Sequence, residues 1–225
     1  MHENADPHNG QTVLRHGPPP GDARLTMICV HGRGASAEDI LALAAELGTD
    51  DVAFLAPNAA GRTWYPLSFL APMDRNQPGL DSGLAVLERL MSGLAASGIA
   101  SERIGLLGFS QGACLALEFT ARHARRYACV AGLSGGLIGP PGTPRAYAGS
   151  LDNTPVFLGC SDVDPHIPLE RVHDTTRVLG ALDAVVDERI YPGMGHIVNA
   201  DELEAVRSLI ARPGTKGTRH SAVRY

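Results

Sequence analysis

The stretch that decides the fold reads Ile104-Gly105-Leu106-Leu107-Gly108-Phe109-Ser110-Gln111-Gly112-Ala113-Cys114-Leu115. Its apolar start predicts a buried strand over 104–107, and the residues that follow Ser110 predict a helix over 111–124. A Gly-x-Ser-x-Gly motif between a strand and a helix forms a sharp turn that presents the serine hydroxyl above the sheet. We therefore interpret Ser110 as a nucleophile, and we expect a β-carbon at Gly108 or Gly112 to collide with a neighbouring element.

The start of the same helix favours negative charge, because its first N–H groups have no partner within the helix and the helix dipole is positive there. We expect the Gln111 N–H to stabilise the oxyanion of a tetrahedral intermediate. A second donor is expected after the strand predicted at 25–30, where the sequence reads His31-Gly32-Arg33-Gly34. The Arg33 N–H is the predicted donor, and Gly32 lets the main chain approach the substrate. A phosphate loop is the weaker alternative, since no other part of a nucleotide-binding fingerprint follows.

Short apolar runs alternate with helical stretches on both sides of this motif, which predicts β-α repeats and a mostly parallel sheet. Strands are predicted at 25–30, 52–56, 104–107, 128–133, 155–160 and 184–190, and helices at 37–47, 80–94, 111–124, 169–180 and 200–210. Ser36 is the predicted N-cap of the first helix. Two long connections, 58–78 and 134–153, follow strands and are expected to frame a site.

The chain of 225 residues fits one domain. Residues 1–23 are polar and rich in glycine and proline, and they predict an N-terminal extension in which only Thr12 to Leu14 could add an edge strand. The α/β domain is expected over 24–212, followed by a polar tail over 213–225.

The composition excludes several classes of function. The formal net charge is -5 and the basic residues form no stripe, so nucleic acid is not an expected partner. No apolar run approaches the roughly 18 residues of a membrane span. All four cysteines lie in apolar segments and the N-terminus does not resemble a secretory signal, so we expect reduced thiols and a cytoplasmic location.

A serine nucleophile needs a base, and one histidine has the right position. His196 follows a predicted strand, precedes the last helix and lies among glycines that let its loop bend towards Ser110. Of the nine histidines, His2, His8, His16 and His220 lie in predicted tails, His123 and His173 lie in predicted helices, and His31 belongs to the oxyanion loop. His166 is too close in sequence to the candidate acids to serve as the base.

The acid of the site is expected in the segment Ser161-Asp162-Val163-Asp164-Pro165, which follows another predicted strand. Pro165 keeps Asp164 out of the helical region, which suits a carboxylate that orients an imidazole. We therefore favour Asp164, and we expect Asp162 to hold the loop through backbone hydrogen bonds. Asp162 remains the alternative acid.

These motifs together resemble the phospholipase/carboxylesterase family of α/β-hydrolases, over most of residues 25–210. They are His31-Gly32-Arg33-Gly34, Gly108-Phe109-Ser110-Gln111-Gly112, Asp164-Pro165 and Gly195-His196. The resemblance implies an α/β-hydrolase fold without a large lid domain, Asp164 as triad acid, no metal or organic cofactor, and hydrolysis through an acyl-serine. The oligomeric state stays open, a homodimer included.

The expected activity is hydrolysis of small-molecule carboxylic esters with short or medium acyl chains. A thioesterase on small acyl thioesters or acyl-proteins is the alternative, and a catalytically silent binding protein is disfavoured because no triad member is missing. Trp64 resembles the tryptophan of the family's site loop, which makes it a candidate pocket wall, although a purely core role is the competing interpretation. Arg33 stands where many family members have leucine, so its side chain is expected to alter acyl preference.

Overall fold

The computed structural model describes residues 6–211, and over these residues the chain forms seven strands and five α-helices. The strands are β1 (Val13–His16), β2 (Leu25–Val30), β3 (Val52–Pro57), β4 (Ile104–Phe109), β5 (Val130–Leu133), β6 (Pro155–Ser161) and β7 (Val185–Tyr191). The helices are α1 (Ala37–Ala45), α2 (Gly79–Ala96), α3 (Gln111–Arg122), α4 (Leu169–Ala181) and α5 (Ala200–Ala211). No helix in this part of the chain is long and apolar enough to cross a membrane.

The strands form one sheet in the order β1-β3-β2-β4-β5-β6-β7. Every pair is parallel except β1 and β3. The predicted α/β-hydrolase fold with a mostly parallel sheet is therefore confirmed. In a parallel sheet all carboxyl ends meet at one edge, so the loops after β2, β3, β4, β6 and β7 come together there.

Both faces of the sheet are covered, because alternate side chains of a strand point to opposite faces. In β2, Ile28 contributes to an apolar cluster with α2, α3 and α4, whereas Met27 and Cys29 belong to a second cluster with α1 and α5. Strands buried on both faces read as continuous apolar runs, which is why the sequence pattern identified them.

The N-terminal end of α1 agrees with the sequence prediction, whereas its C-terminal end differs from it. Ser36 caps α1 as predicted, in a capping box with Asp39. The helix ends at Ala45 rather than Leu47, although Leu47 is buried in the core. From Glu46 the chain continues in tight turns, whose N–H groups donate to carbonyls three residues earlier. The apolar spacing of the sequence therefore extends beyond the last α-helical hydrogen bond.

Residues 6–23, which were predicted as part of a polar N-terminal extension, contact the rest of the described chain. β1 begins at Val13 and pairs antiparallel with β3 along the sheet edge. His8 is buried: its Nδ1 accepts the Ala60 N–H at 3.0 Å, and its Nε2 donates to the Trp64 carbonyl at 2.8 Å. Burial of His8 and edge pairing order a segment whose composition alone predicts disorder. The predicted tail over 213–225 lies outside the described residues.

Candidate active site

The turn between β4 and α3 carries Ser110 in a strained conformation, with φ of 54° and ψ of -120°. The Ser110 N–H donates to the Leu133 carbonyl at 2.9 Å, which fixes the turn on the next strand. A β-carbon at Gly108 would lie 2.5 Å from the Gly112 carbonyl oxygen, and one at Gly112 would lie 2.1 Å from the Val30 carbonyl oxygen. Glycine at both positions lets the helix sit directly on the strands, as the motif predicts.

His196 lies between Ser110 and Asp164. Its Nε2 is 2.7 Å from Ser110 Oγ, and its Nδ1 is 2.7 Å from Asp164 Oδ2. A carboxylate can only accept a hydrogen bond, so Nδ1 carries the ring proton and Nε2 is left to accept the hydroxyl proton of Ser110. The three side chains thus form a hydrogen-bonded series that ends on the serine oxygen.

Asp164 is the fixed end of this series, and its side chain is fully buried. Its Oδ1 accepts the N–H groups of His166 and Ile167 at 2.8 and 3.1 Å. Burial by itself would raise the pKa of Asp164, but hydrogen bonds from the His196 ring and from these two N–H groups lower it below its usual value. At neutral pH an ionised carboxylate therefore faces the imidazole.

Asp162, the alternative acid, points elsewhere. Its Oδ1 accepts the Gly193 N–H at 2.8 Å, so it connects the loop after β6 with the loop that carries His196. This is the backbone role expected for Asp162 from the sequence.

Two backbone N–H groups lie on the segments next to Ser110. Gly32 packs closely on the nucleophile turn, since a β-carbon there would lie 3.4 Å from the Ser110 β-carbon. The Arg33 N–H follows on this loop, and the Gln111 N–H opens α3. Neither N–H has an acceptor among residues 6–211. Unpaired donors beside a serine oxygen can hold a developing oxyanion.

Trp64 supports the loop 31–34 from within the core and does not form a wall of the cleft. Its indole is fully buried, and Nε1 donates to the His31 carbonyl at 2.9 Å. The Trp64 N–H donates to Gln111 Oε1 at 2.9 Å, and Gln111 Nε2 donates to the Tyr65 carbonyl at 2.8 Å. A side chain with no exposed surface cannot contact a substrate, so the pocket-wall interpretation gives way to the core interpretation.

His31 completes this support as a neutral ring. Its Nδ1 donates to the Gly32 carbonyl at 2.7 Å, and its Nε2 accepts the Ala59 N–H at 3.1 Å. Burial lowers the pKa of His31, which keeps Nε2 available as an acceptor. The loop that carries the Arg33 N–H is thus fixed from both sides by hydrogen bonds.

A cleft of about 350 Å³ opens over Ser110. Its wall opposite the histidine comes from the first long loop, through Tyr65, Pro66, Leu67, Ser68 and Phe69. The second long loop, 134–153, was expected to frame the site as well, but it does not line this cleft. It supports the first loop instead, through the Gly139 N–H that donates to the Phe69 carbonyl at 2.7 Å.

A second hollow, of about 390 Å³, lies on the other side of His196. It is mostly apolar and is lined by Ile40, Leu43, Phe109, Ile197 and Val198, among others. His196 therefore separates two cavities of similar size at the carboxyl edge of the sheet. Within residues 6–211, no three histidine, cysteine, aspartate or glutamate side chains are grouped as metal ligands.

Sequence reasoning missed two polar residues of the site region. His166 was considered only as a base, yet its ring lines the cleft and packs edge-on against His196 at 4.9 Å. Its place two residues after Asp164 was the available signal. Glu202 was missed altogether, although Asn199 and Glu202 have the spacing of a capping box.

Glu202 fixes the chain immediately after the His196 loop. Its Oε2 accepts the Asn199 N–H at 2.9 Å, and its own N–H donates to Asn199 Oδ1 at 2.8 Å. The carboxylate is buried beneath Gly159, and Oε1 has no hydrogen-bond partner among residues 6–211. Burial raises the pKa of Glu202 to about 7, against the opposing hydrogen bond from Asn199. A buried acid of this kind makes stability depend on pH.

We expect Glu202→Gln to raise the melting temperature at pH 8 and to have little effect at pH 5. The pKa of Glu202 in the folded protein lies above its ordinary value of 4.5, so the stability it contributes is greatest below that value and falls as the pH rises to about 7. Glutamine stays neutral and avoids that loss. Differential scanning calorimetry at both pH values measures the difference, with the exposed Glu204→Gln as control. An equal gain at pH 5 and pH 8 would contradict the assignment.

Comparison with known proteins decides the family. Residues 18–212 match the family model described as phospholipase/carboxylesterase. The chain belongs to the phospholipase/carboxylesterase family. This confirms the resemblance found from the motifs.

Among solved structures, a phospholipase/carboxylesterase from Dyadobacter fermentans is similar, with 39% identity and a TM-score of 0.88 over 93% of this chain and 100% of that one. Acyl-protein thioesterase 1 of Saccharomyces cerevisiae is 28% identical over 84% of this chain and 93% of its own length. Acyl-protein thioesterase 1 of Gibberella zeae is 31% identical over 52% of this chain, and that match spans only 50% of the relative. Together, family and neighbours indicate a serine hydrolase of the carboxylesterase and thioesterase kind.

Proposed function

We propose that this protein hydrolyses carboxylic esters with short or medium acyl chains through an acyl-enzyme on Ser110. The observation that carries the proposal is the hydrogen-bonded series from Asp164 through His196 to Ser110, with distances of 2.7 Å at both steps. It ends at a strained turn beside two unpaired backbone N–H groups. This combination supplies a nucleophile, a base, an orienting acid and an oxyanion site.

In the acylation step, His196 Nε2 takes the Ser110 proton as Oγ attacks the ester carbonyl carbon. The carbonyl oxygen becomes an oxyanion, held by the N–H groups of Arg33 and Gln111. Collapse of the intermediate breaks the bond to the alcohol, and His196 gives its proton to the leaving oxygen. Asp164 stabilises the imidazolium that exists between these two transfers.

In the deacylation step, a water molecule takes the place of the alcohol. His196 removes a proton from a water molecule that attacks the acyl-serine, and the same two N–H groups hold the second oxyanion. When this intermediate collapses, the proton returns to Ser110 Oγ and the carboxylic acid leaves. The two steps together consume one ester and one water molecule and release the alcohol and the carboxylic acid.

The two cavities beside His196 suit the two halves of an ester. The cleft of about 350 Å³ is near the lower limit of roughly 300 Å³ for small-molecule sites, which favours short or medium substrates. The apolar hollow on the other side of His196 offers a place for the second half of the substrate.

Thioester hydrolysis is the second candidate, and the acyl-protein thioesterases among the relatives favour it. The same serine, base and oxyanion site would act, since only the leaving atom differs. Competition between ethyl butanoate and its S-ethyl thioester, followed by product analysis, measures the preference. A higher kcat/KM for the thioester would favour thioester hydrolysis over ester hydrolysis as the activity of this protein.

Active-site labelling tests the nucleophile directly. A fluorophosphonate reacts with a serine activated by a neighbouring base, so we expect one labelled peptide, the one that contains Ser110. The labelled and unlabelled proteins are digested and compared by mass spectrometry. Absence of label at Ser110 together with absence of ester hydrolysis would overturn the proposed function.

For Trp64→Phe we expect lower stability but an unchanged preference among acyl lengths. The substitution removes the bond from Nε1 to the His31 carbonyl and leaves space in the core, while no surface of the cleft changes. The melting temperature and the ratio of kcat/KM for ethyl butanoate and ethyl hexanoate are measured. Phe69→Ala, which alters the cleft wall, is the comparison and should shift the ratio. A shifted ratio in Trp64→Phe would restore the pocket-wall interpretation.

A further inference from the structure

The cleft over Ser110 carries an uncompensated positive side chain. Arg33 lines it, and the guanidinium donates through Nη1 to the Pro66 carbonyl at 2.9 Å and through Nη2 to the Leu67 carbonyl at 2.6 Å. These bonds hold the planar group against the wall segment 66–67 and leave its other N–H groups without an acceptor in the described chain. No carboxylate pairs with Arg33 among residues 6–211. Its charge is therefore unneutralised within the described chain.

The other ionisable side chains that line the cleft do not supply the missing negative charge. They are two histidines, a tyrosine and a cysteine, namely His166, His196, Tyr65 and Cys114, and no aspartate or glutamate is among them. Burial raises the pKa of both Tyr65 and Cys114, so these two are neutral near pH 7. Among the described residues that line the cleft, Arg33 therefore carries a positive charge that no lining carboxylate balances. The carboxylate of Asp164 lies behind His196 and is hydrogen-bonded to its Nδ1.

The hydroxyl of Tyr65, beside the same cleft, lacks a strong hydrogen-bond partner in the described chain. The Tyr65 hydroxyl is buried and has no hydrogen-bond partner within ordinary distance among residues 6–211. Its polar neighbour is the thiol of Cys114, which is only a weak hydrogen-bonding group. The charge of Arg33 acts on this hydroxyl and opposes the rise in its pKa caused by burial. Because the Tyr65 hydroxyl has no exposed surface, only the Arg33 guanidinium of this pair can contact a substrate.

We propose that the preferred substrates are esters that carry a free carboxylate, held in the cleft by the exposed Arg33 guanidinium. The proposal rests on the proposed function and specifies its substrate class. A carboxylate matches the charge of one guanidinium, whereas a phosphate dianion would need a second cation. The apolar contribution of Leu67 and Phe69 to the wall fits a short methylene chain between carboxylate and ester.

Matched esters that differ only in the anionic group test the preference. Monoethyl glutarate and ethyl pentanoate have chains of similar length, and hydrolysis of both is followed in a pH-stat after subtraction of the uncatalysed rate. A charge-assisted hydrogen bond predicts a kcat/KM about tenfold to a hundredfold higher for the glutarate ester. The advantage should shrink as sodium chloride is added, because Arg33 is exposed.

The variants compare Arg33→Gln, Arg33→Lys and Arg75→Gln. The ratio of kcat/KM for the two esters should fall towards one in Arg33→Gln, stay above one in Arg33→Lys, and keep its wild-type value in Arg75→Gln. Arg75 is an exposed arginine that does not line the cleft. The ratio is the readout because any loss common to both esters cancels. Equal rates for both esters in the wild type, or an unchanged ratio in Arg33→Gln, would overturn the proposal.

Binding without turnover separates this inference from the proposed function. Ser110→Ala is titrated calorimetrically with monoethyl glutarate and with ethyl pentanoate, and we expect tighter binding of the glutarate ester. Equal affinities would contradict the anion site even if both esters are hydrolysed by the wild type. Lack of hydrolysis with preferential binding of the glutarate ester would contradict only the proposed function.

Discussion

Ser110→Ala is expected to lower kcat/KM for ester hydrolysis by about 10⁴-fold or more. The substitution removes the oxygen that forms the acyl-enzyme and leaves only the oxyanion N–H groups and substrate binding. The backbone bond from the Ser110 N–H to the Leu133 carbonyl remains, so the turn should keep its shape. Initial rates with an activated ester give the loss, and circular dichroism checks the fold.

Ser134→Ala provides the matched control. Ser134 likewise has a positive φ, 49°, at the carboxyl end of a strand, but it is fully buried and does not line the cleft. Ser134→Ala should therefore retain most of the activity, although it alters a serine with similar backbone strain. Comparable turnover in the two alanine variants would show that Ser110 is not the nucleophile.

Asp164→Asn is expected to lower kcat by about 10³ to 10⁴-fold with the serine still in place. Two backbone N–H groups already point at Oδ1, so the amide oxygen of asparagine takes that position and its NH₂ faces His196. An NH₂ donor forces Nδ1 of His196 to accept, which moves the ring proton to Nε2. The imidazole then cannot take a proton from Ser110. Single-turnover and steady-state kinetics measure the loss.

Asp162→Asn tests whether any aspartate in this loop would do. Its carboxylate receives the Gly193 N–H, and asparagine can accept the same bond through its amide oxygen. We expect a modest change in melting temperature and a much smaller fall in kcat than for Asp164→Asn. The opposite order of effects would transfer the orienting role to Asp162.

The order of elements and the position of Ser110 could be predicted because their signals are local. A buried parallel strand is a continuous apolar run, and the glycines of the β4–α3 turn lie within two residues of the serine. His196 and Asp164 were predictable for a related reason. Each follows a strand of the parallel sheet, and the carboxyl ends of such strands meet at one edge.

The support of the site could not be predicted, because it depends on contacts between residues distant in the chain. Nothing near Trp64 in the sequence indicates that its indole bonds to the His31 carbonyl, 33 positions earlier. The composition of residues 6–23 likewise predicts disorder, while burial of His8 against the first long loop orders them. Local pattern identifies which groups face the site, and tertiary packing decides which of them reach the substrate.

The close packing of Gly112 against the end of β2 affects the energy needed to stabilise a transition state at Ser110. Only a hydrogen of Gly112 separates the start of α3 from the Val30 carbonyl, so the turn at Ser110 packs directly against the strand that leads into the loop of Arg33. The N–H groups of Arg33 and Gln111, which we propose as the oxyanion site, therefore lie on segments in direct contact. Water would have to reorient to solvate a new oxyanion, whereas dipoles on closely packed segments are oriented before a substrate arrives. Such preorganisation lowers the reorganisation energy that the same reaction requires in solution.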